Sequence, residues 1–246
     1  MQQFQWLAAA LTSNGDGLTL HVVAPHGELA ASGPPRLAVQ PIQPYAPALV
    51  DEIPAGALAV VDFQLPNGAF ELLPQLPKPL LDLFPGNTLD LPQQLDAVLG
   101  GETAVYIRPA LPTPEVTLVT QPADTAAASS TLDELVKQSP QLSKLTLHRA
   151  VIGGQFVVST TQQGIDAFRS GGAKLSSDPS FVEAAKQSAM PEKTTGFVYG
   201  NLKDALPLLR LAGVKLPQSL PPLRTLNAYG AQSEGQSTFT AFLGVG

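Results

Sequence analysis

Ile53-Pro54-Ala55-Gly56-Ala57-Leu58-Ala59-Val60-Val61-Asp62-Phe63 is the stretch from which the fold is read. A proline introduces a short apolar run rich in β-branched residues, and a leucine-rich amphipathic stretch follows it. The arrangement returns at Met190-Pro191, with Thr195-Gly196-Phe197-Val198-Tyr199-Gly200 as the apolar run and Ala205 to Leu209 behind it. Leu91-Pro92-Gln93-Gln94-Leu95 trails the first instance, and Leu216-Pro217-Gln218-Ser219-Leu220 trails the second. Self-similarity of this kind describes how a chain is built. It names no chemistry.

Working outward, residues 102–108 and 115–121 alternate as strands joined through Ala110-Leu111-Pro112-Thr113-Pro114. Residues 144–151 and 155–160 read as a hairpin around Gly153-Gly154, a dipeptide that supplies positive φ. Residues 4–11 and 18–23 form another around Ser13-Asn14-Gly15-Asp16-Gly17, and 224–232 with 237–245 form a third. Helical spacing is read at 89–99, at 122–138 opening on Pro122, at 161–169 and at 202–211. A further helix starts at Asp178-Pro179, a capping residue followed by proline at the first helical position. Residues 65–76 have helical spacing at Phe70, Leu72 and Leu73 until Pro74 stops it. Strands that come as hairpins, with short helices interspersed, predict α+β with a largely antiparallel sheet built from two related units.

The expected organisation is one α+β region over 1–246, itself a piece of something longer. Within it, 1–24 is a hairpin closing a preceding unit, 48–122 the first unit, 123–190 a helix-hairpin-helix segment and 191–246 the second unit. The 246 residues suffice for a real core, and 44% hydrophobic with 14% charged residues excludes disorder driven by charge. Seventeen of 24 prolines fall in 1–127, six of them between Pro25 and Pro47, which therefore reads as an extended connection. The same half holds three basic against 12 acidic side chains, a net of −9, whereas 128–246 carries +3 without a basic run. An acidic chain repels phosphate backbones, so no nucleic-acid partner is expected.

Reactive chemistry is scarce. There is no cysteine for thiolate metal sites, disulfides or nucleophiles. His21, His26 and His148 are scattered without ligand spacing, and no metal or cofactor is expected. No Gly-x-Ser-x-Gly, Ser-x-x-Lys or His-Glu-x-x-His occurs, and neither Gly100-Gly101 nor Gly153-Gly154 leads into a phosphate loop. Asp62, an acid closing an apolar strand, reads as a cap on the following helix, with Tyr199 as its counterpart in the second instance. No catalytic residue is assigned, and the chain is read as a non-enzyme. The leucines are the remaining feature. Leu72, Leu73, Leu76, Leu80 and Phe84, with Leu206, Leu208 and Leu209, either cover the sheet or line a groove for a partner or an acyl chain.

Leu99-Gly100-Gly101-Glu102-Thr103-Ala104-Val105, Gly154-Gln155-Phe156-Val157-Val158-Ser159 and Leu175-Ser176-Ser177-Asp178-Pro179-Ser180-Phe181 carry a resemblance. With Pro191 and Gly196-Phe197-Val198-Tyr199, they make the chain from Leu91 onward similar to a bacterial membrane-anchored extracytoplasmic family catalogued as a domain of unknown function. The matching pieces are turns and core patterns rather than reactive groups. The resemblance implies an extracytoplasmic location, periplasmic or at the cell surface, with membrane association only through an anchor absent from this sequence. It brings no catalytic residues. The expected function is a non-enzymatic binding or scaffolding module for an envelope protein, with a carrier or sensor of a lipid-like ligand, held between the leucine-rich helices and the sheet, as the alternative.

Overall fold

A computed structural model describes residues 6–25, 42–66, 68–70, 91–110, 113–139, 142–215, 217, 221–233 and 235–246. The strands are β1 (Ala8–Asn14), β2 (Gly17–Pro25), β3 (Ala59–Gln64), β4 (Glu102–Arg108), β5 (Glu115–Thr120), β6 (His148–Ile152), β7 (Gln155–Ser159), β8 (Gly196–Asn201), β9 (Leu223–Ser233) and β10 (Gln236–Val245). They form one sheet in the order β1-β2-β10-β9-β8-β3-β4-β5-β7-β6. Every neighbouring pair is antiparallel. The helices among the described residues are α1 (Leu91–Leu99), α2 (Thr125–Gln138), α3 (Gln162–Arg169), α4 (Pro179–Gln187) and α5 (Leu202–Leu211). The protein is thus α+β, with the antiparallel hairpins that the alternating runs require.

The two apolar runs behind Pro54 and Pro191 lie side by side at the middle of this sheet. They are β3 and β8, with Val61 opposite Val198. From that pair one wing runs β3, β4, β5, β7, β6 and the other β8, β9, β10, β2, β1. The N-terminal hairpin completes the second wing, since β2 pairs with β10 from Gln236–Pro25 to Gly244–Gly17. Gly17 is required there, because a Cβ would run into the carbonyl of Leu243.

Alternation along the strands gives the sheet two faces. The inner face carries Val60, Ala104, Tyr106, Val119, Val157, Phe197, Tyr199 and Tyr229, packed beneath α3, α4 and the turns at Leu49–Asp51 and Leu175–Ser177. Phe181 of α4 seals this core edge-on against Tyr199, with ring centroids 5.2 Å apart. The outer face of the first wing has its own cluster, in which Ala128 and Leu132 of α2 cover Phe156, Val158 and Leu118. Ala128 and Leu132 are four positions apart, so both point to the sheet.

Local details differ from the sequence reading in two places. The helix expected to open on Pro122 begins at Thr125, because Asp124 caps it by accepting from the N–H groups of Ala126 at 2.8 Å and Ala127 at 3.0 Å. The strand expected from 144 starts at His148, behind a 3₁₀ turn over Leu142–Lys144. Asp178 caps α4 ahead of Pro179 as its sequence requires. Gly153 and Gly154 both hold positive φ, the type I′ geometry that a two-residue hairpin favours. Leu91–Leu95 opens α1, while Leu216 and residues 218–220 of its echo lie outside the described residues.

Candidate functional site

Two places combine sequence signals with unusual physical chemistry. The first is the outer face of the second wing. Across the sheet, one row of cross-strand partners runs Val61, Val105, Leu118, Val158 and Arg149 on the first wing. Its continuation on the second wing is Val198, Ala228, Ala241, Leu20 and Leu11. Every position but Arg149 is apolar. Val158 is 6% exposed beneath α2, but Leu11 is 71%, Leu18 41%, Leu20 36% and Phe239 45% exposed. Leu18, Leu20 and Phe239 point the same way by register. Apolar side chains clustered on one face are the surface feature that marks docking sites, unlike single exposed leucines.

The edge sharpens this picture. β1, Ala8–Asn14, contains no charged residue and no proline, and every residue in it is exposed. Unprotected edges invite pairing or covering, and native sheets ordinarily guard them with charge or bulges. The opposite edge, β6, carries Arg149, whose Nη1 lies 2.8 Å from Asp133 Oδ1 of α2. Among the described residues, one edge is therefore guarded and the other carries no charge.

Helix α5 packs on β9 and β8 and contains no buried residue. Of the candidate groove residues, Leu206 and Leu208 are half-buried and Leu209 is exposed. Leu72, Leu73, Leu76, Leu80 and Phe84 lie outside the described residues. The structure brings the three leucines of α5 to the same wing as Leu18, Leu20 and Phe239. Sequence reasoning overlooked those three, although the alternation Leu18-Thr19-Leu20-His21-Val22 carried the signal.

No protein-family model, curated protein or solved structure matches the chain.

The second place is buried. Asp62 does not cap a helix; it stands within β3, 1% exposed, facing Ala104 across the β3–β4 pair. The hydroxyl of Tyr45 donates a very short hydrogen bond to its Oδ1. Its Oδ2 has no hydrogen-bond partner. Glu102, 5% exposed, accepts from the N–H groups of Ala48 at 3.0 Å and Leu49 at 2.8 Å, and so caps the turn Leu49–Asp51. Burial, opposed by the Tyr45 hydrogen bond and reinforced by the charge of Glu102, raises the Asp62 carboxyl to about 7. Hydrogen bonding between the protonated carboxyl and Glu102 adds to the rise. The Tyr45 hydroxyl is likewise pushed above its ordinary value by burial and by the neighbouring Asp62 charge.

A cleft of about 350 Å³ opens beside this cluster, lined by Gln43, Pro44, Tyr45, Gln64, Leu65, Pro66 and Gly101. Asp62 lies behind Tyr45 rather than in the opening. A general acid must reach the proton it transfers, and this carboxyl faces protein. What the cluster does instead is fasten a strap. Tyr45 exchanges backbone hydrogen bonds with Thr194 at 2.8 and 2.9 Å, and Gln232 Nε2 donates to the carbonyl of Ile42 at 2.8 Å. The segment from Ile42 to Leu49 is thereby tied across the end of β3, the start of β4 and the entry to β8. Among the described residues, no three His, Asp or Glu side chains converge as a metal site, and no helix is long and apolar enough to cross a membrane.

Proposed function

We propose that this protein is a non-enzymatic binding or scaffolding module that works outside the cytoplasm, and that the outer face of β1, β2 and β10 is its docking surface. The observation that carries the reading is the exposure of Leu11, Leu18, Leu20 and Phe239 on one face, beside an uncharged edge strand. The extracytoplasmic setting follows from the family resemblance, and an envelope protein is the partner that fits it. The two wings are related units, and their common strand order on either side of the Val61–Val198 pair supports this. The echo at Pro54 and Pro191 is then the trace of that relationship in sequence.

A carrier of a lipid-like ligand is the second reading, favoured by the exposure of Leu209 at 42% and Leu211 at 84% on α5. The two separate by photo-crosslinking in the native cell. A photoreactive phenylalanine analogue at Leu20 or Phe239 forms a discrete protein adduct if the face docks a protein, while the same analogue at Val182 on α4 does not. Adducts absent from Leu20 and Phe239, with stoichiometric lipid extracted from the purified protein, would overturn docking in favour of the carrier.

A further inference from the structure

We infer that the occupant of the outer face of β2 and β10 is an amphipathic α-helix, seated there as α2 is seated on the first wing. The inference rests on the reading of this face as a docking surface and names what docks. Its basis is register. When the central Val61–Val198 pair is taken as the centre, Val158 corresponds to Leu20, Phe156 to Leu18 and Leu118 to Ala241. The β6–β7 turn at Gly153-Gly154 falls in the same place as the β1–β2 turn at Gly15-Asp16.

On the first wing these positions lie under Ala128 and Leu132 of α2. α2 also packs against α1, the helix between β3 and β4. On the second wing the matching helix between β8 and β9 is α5. It has no fully buried residue and exposes Leu209. Among the described residues, a floor and a side wall are therefore present and no helix lies between them. Strands β1, β2 and β10 contain no Asp, Glu, Lys or Arg, so the floor offers apolar contact and no ionic anchor. An amphipathic helix laid in an apolar groove is a recurrent mode of recognition.

One difference between the wings specifies the occupant further. Arg149 pairs with Asp133 of α2, and the position matching Arg149 is Leu11. The incoming helix should keep a small residue and a leucine four apart, like Ala128 and Leu132. It should carry an apolar side chain where α2 has Asp133. A carboxylate there would be desolvated against Leu11 without a partner.

The test uses two fluorescein-labelled peptides of residues 122–139, one with the α2 sequence and one carrying Asp133→Leu. Both are stapled between the exposed positions 130 and 134 so that they are helical when free. Fluorescence anisotropy against the whole chain is expected to show saturable binding, about tenfold tighter for Asp133→Leu. Leu20→Glu in the protein should weaken binding by about tenfold or more. Because the chain has no cysteine, a disulfide provides a measurement that does not depend on affinity. Leu20→Cys should trap a peptide bearing Leu132→Cys, and Thr19→Cys on the opposite face should not. Failure of both binding and trapping, or binding unaffected by Leu20→Glu, would overturn the helix. So would sedimentation with phosphatidylglycerol vesicles that the peptide does not displace. Protein adducts at Leu20 in cells with no peptide binding leave docking intact and reject the helix; loss of both rejects docking as well.

Discussion

Asp62→Asn isolates the buried acid cluster in a single substitution. Asparagine has the shape of the protonated aspartic acid, accepts from the Tyr45 hydroxyl through Oδ1, and offers an N–H toward Glu102 where Asp62 needs a proton. The folded-state value of Asp62 lies near 7, above the 3.8 of the free side chain. The folded state therefore binds more protons than the unfolded state between those values, and stability falls as pH rises through that window. The stability associated with the proton is fully present below pH 3.8 and gone once pH passes about 7. A rise from 3.8 to about 7 corresponds to about 4 kcal/mol, at about 1.4 kcal/mol per pH unit. Relaxation around the charged form lowers this, so 2–4 kcal/mol is the expected gain of Asp62→Asn over the parent at pH 8, as an order-of-magnitude figure. At pH 4 the two proteins should be nearly equal, because both then carry a neutral group at this position. Urea unfolding at pH 4, 6 and 8, fitted with a common m-value, measures the difference directly. A gain independent of pH, or a loss at pH 8, would refute the argument that Asp62 is held protonated by burial and by Glu102.

Three further outcomes test the rest of the structure. Leu20→Glu should change stability by no more than about 0.5 kcal/mol, because the side chain is exposed, whereas Val158→Glu at the matching position on the covered wing should cost several kcal/mol in the same urea assay. Ala189, with φ of 54°, is the one non-glycine residue at positive φ among the described residues, so Ala189→Gly should stabilise by about 1 kcal/mol and raise the melting temperature. Asp124→Ala removes the cap of α2 and should cost about 1 kcal/mol in thermal unfolding, with faster amide exchange over Ala126 and Ala127.

What was legible in the sequence is what depends on neighbours along the chain. Alternation placed the strands, Gly153-Gly154 placed a hairpin, and Asp178-Pro179 placed a helix start, because each signal acts within a few residues. Pairing over long separations was not legible. Nothing in residues 8–25 announces that β2 will pair with β10, more than 200 residues away in sequence. Asp62 was misread for the same reason. Its hydrogen-bond partner Tyr45 sits in a proline-rich stretch that reads as plain connection, and Glu102 comes from a third segment. Only the folded chain brings the three together. The leucines of residues 72–84 drew attention through density, but among the described residues the exposed apolar face lies on β1, β2 and β10. There the leucines alternate with threonine and histidine, as in any half-buried strand.

That alternation is why the second wing reads as a docking face rather than a defect. A strand written with one apolar and one polar face is written to be covered on the apolar side. Val158 and Leu20 occupy matching positions with similar side chains, yet one is beneath a helix and the other faces water. Had the face remained open in its working state, a charge at Leu11, where the first wing has Arg149, would have kept the edge soluble at no cost to the core. On the proposed reading, leucine at that position packs against an apolar neighbour. The same reasoning predicts that Leu11→Arg improves solubility of the isolated chain and abolishes crosslinking at Leu20. If Leu11→Arg left the crosslink intact, Leu11 would lie outside the occupied surface and the covering group would reach no further than β2.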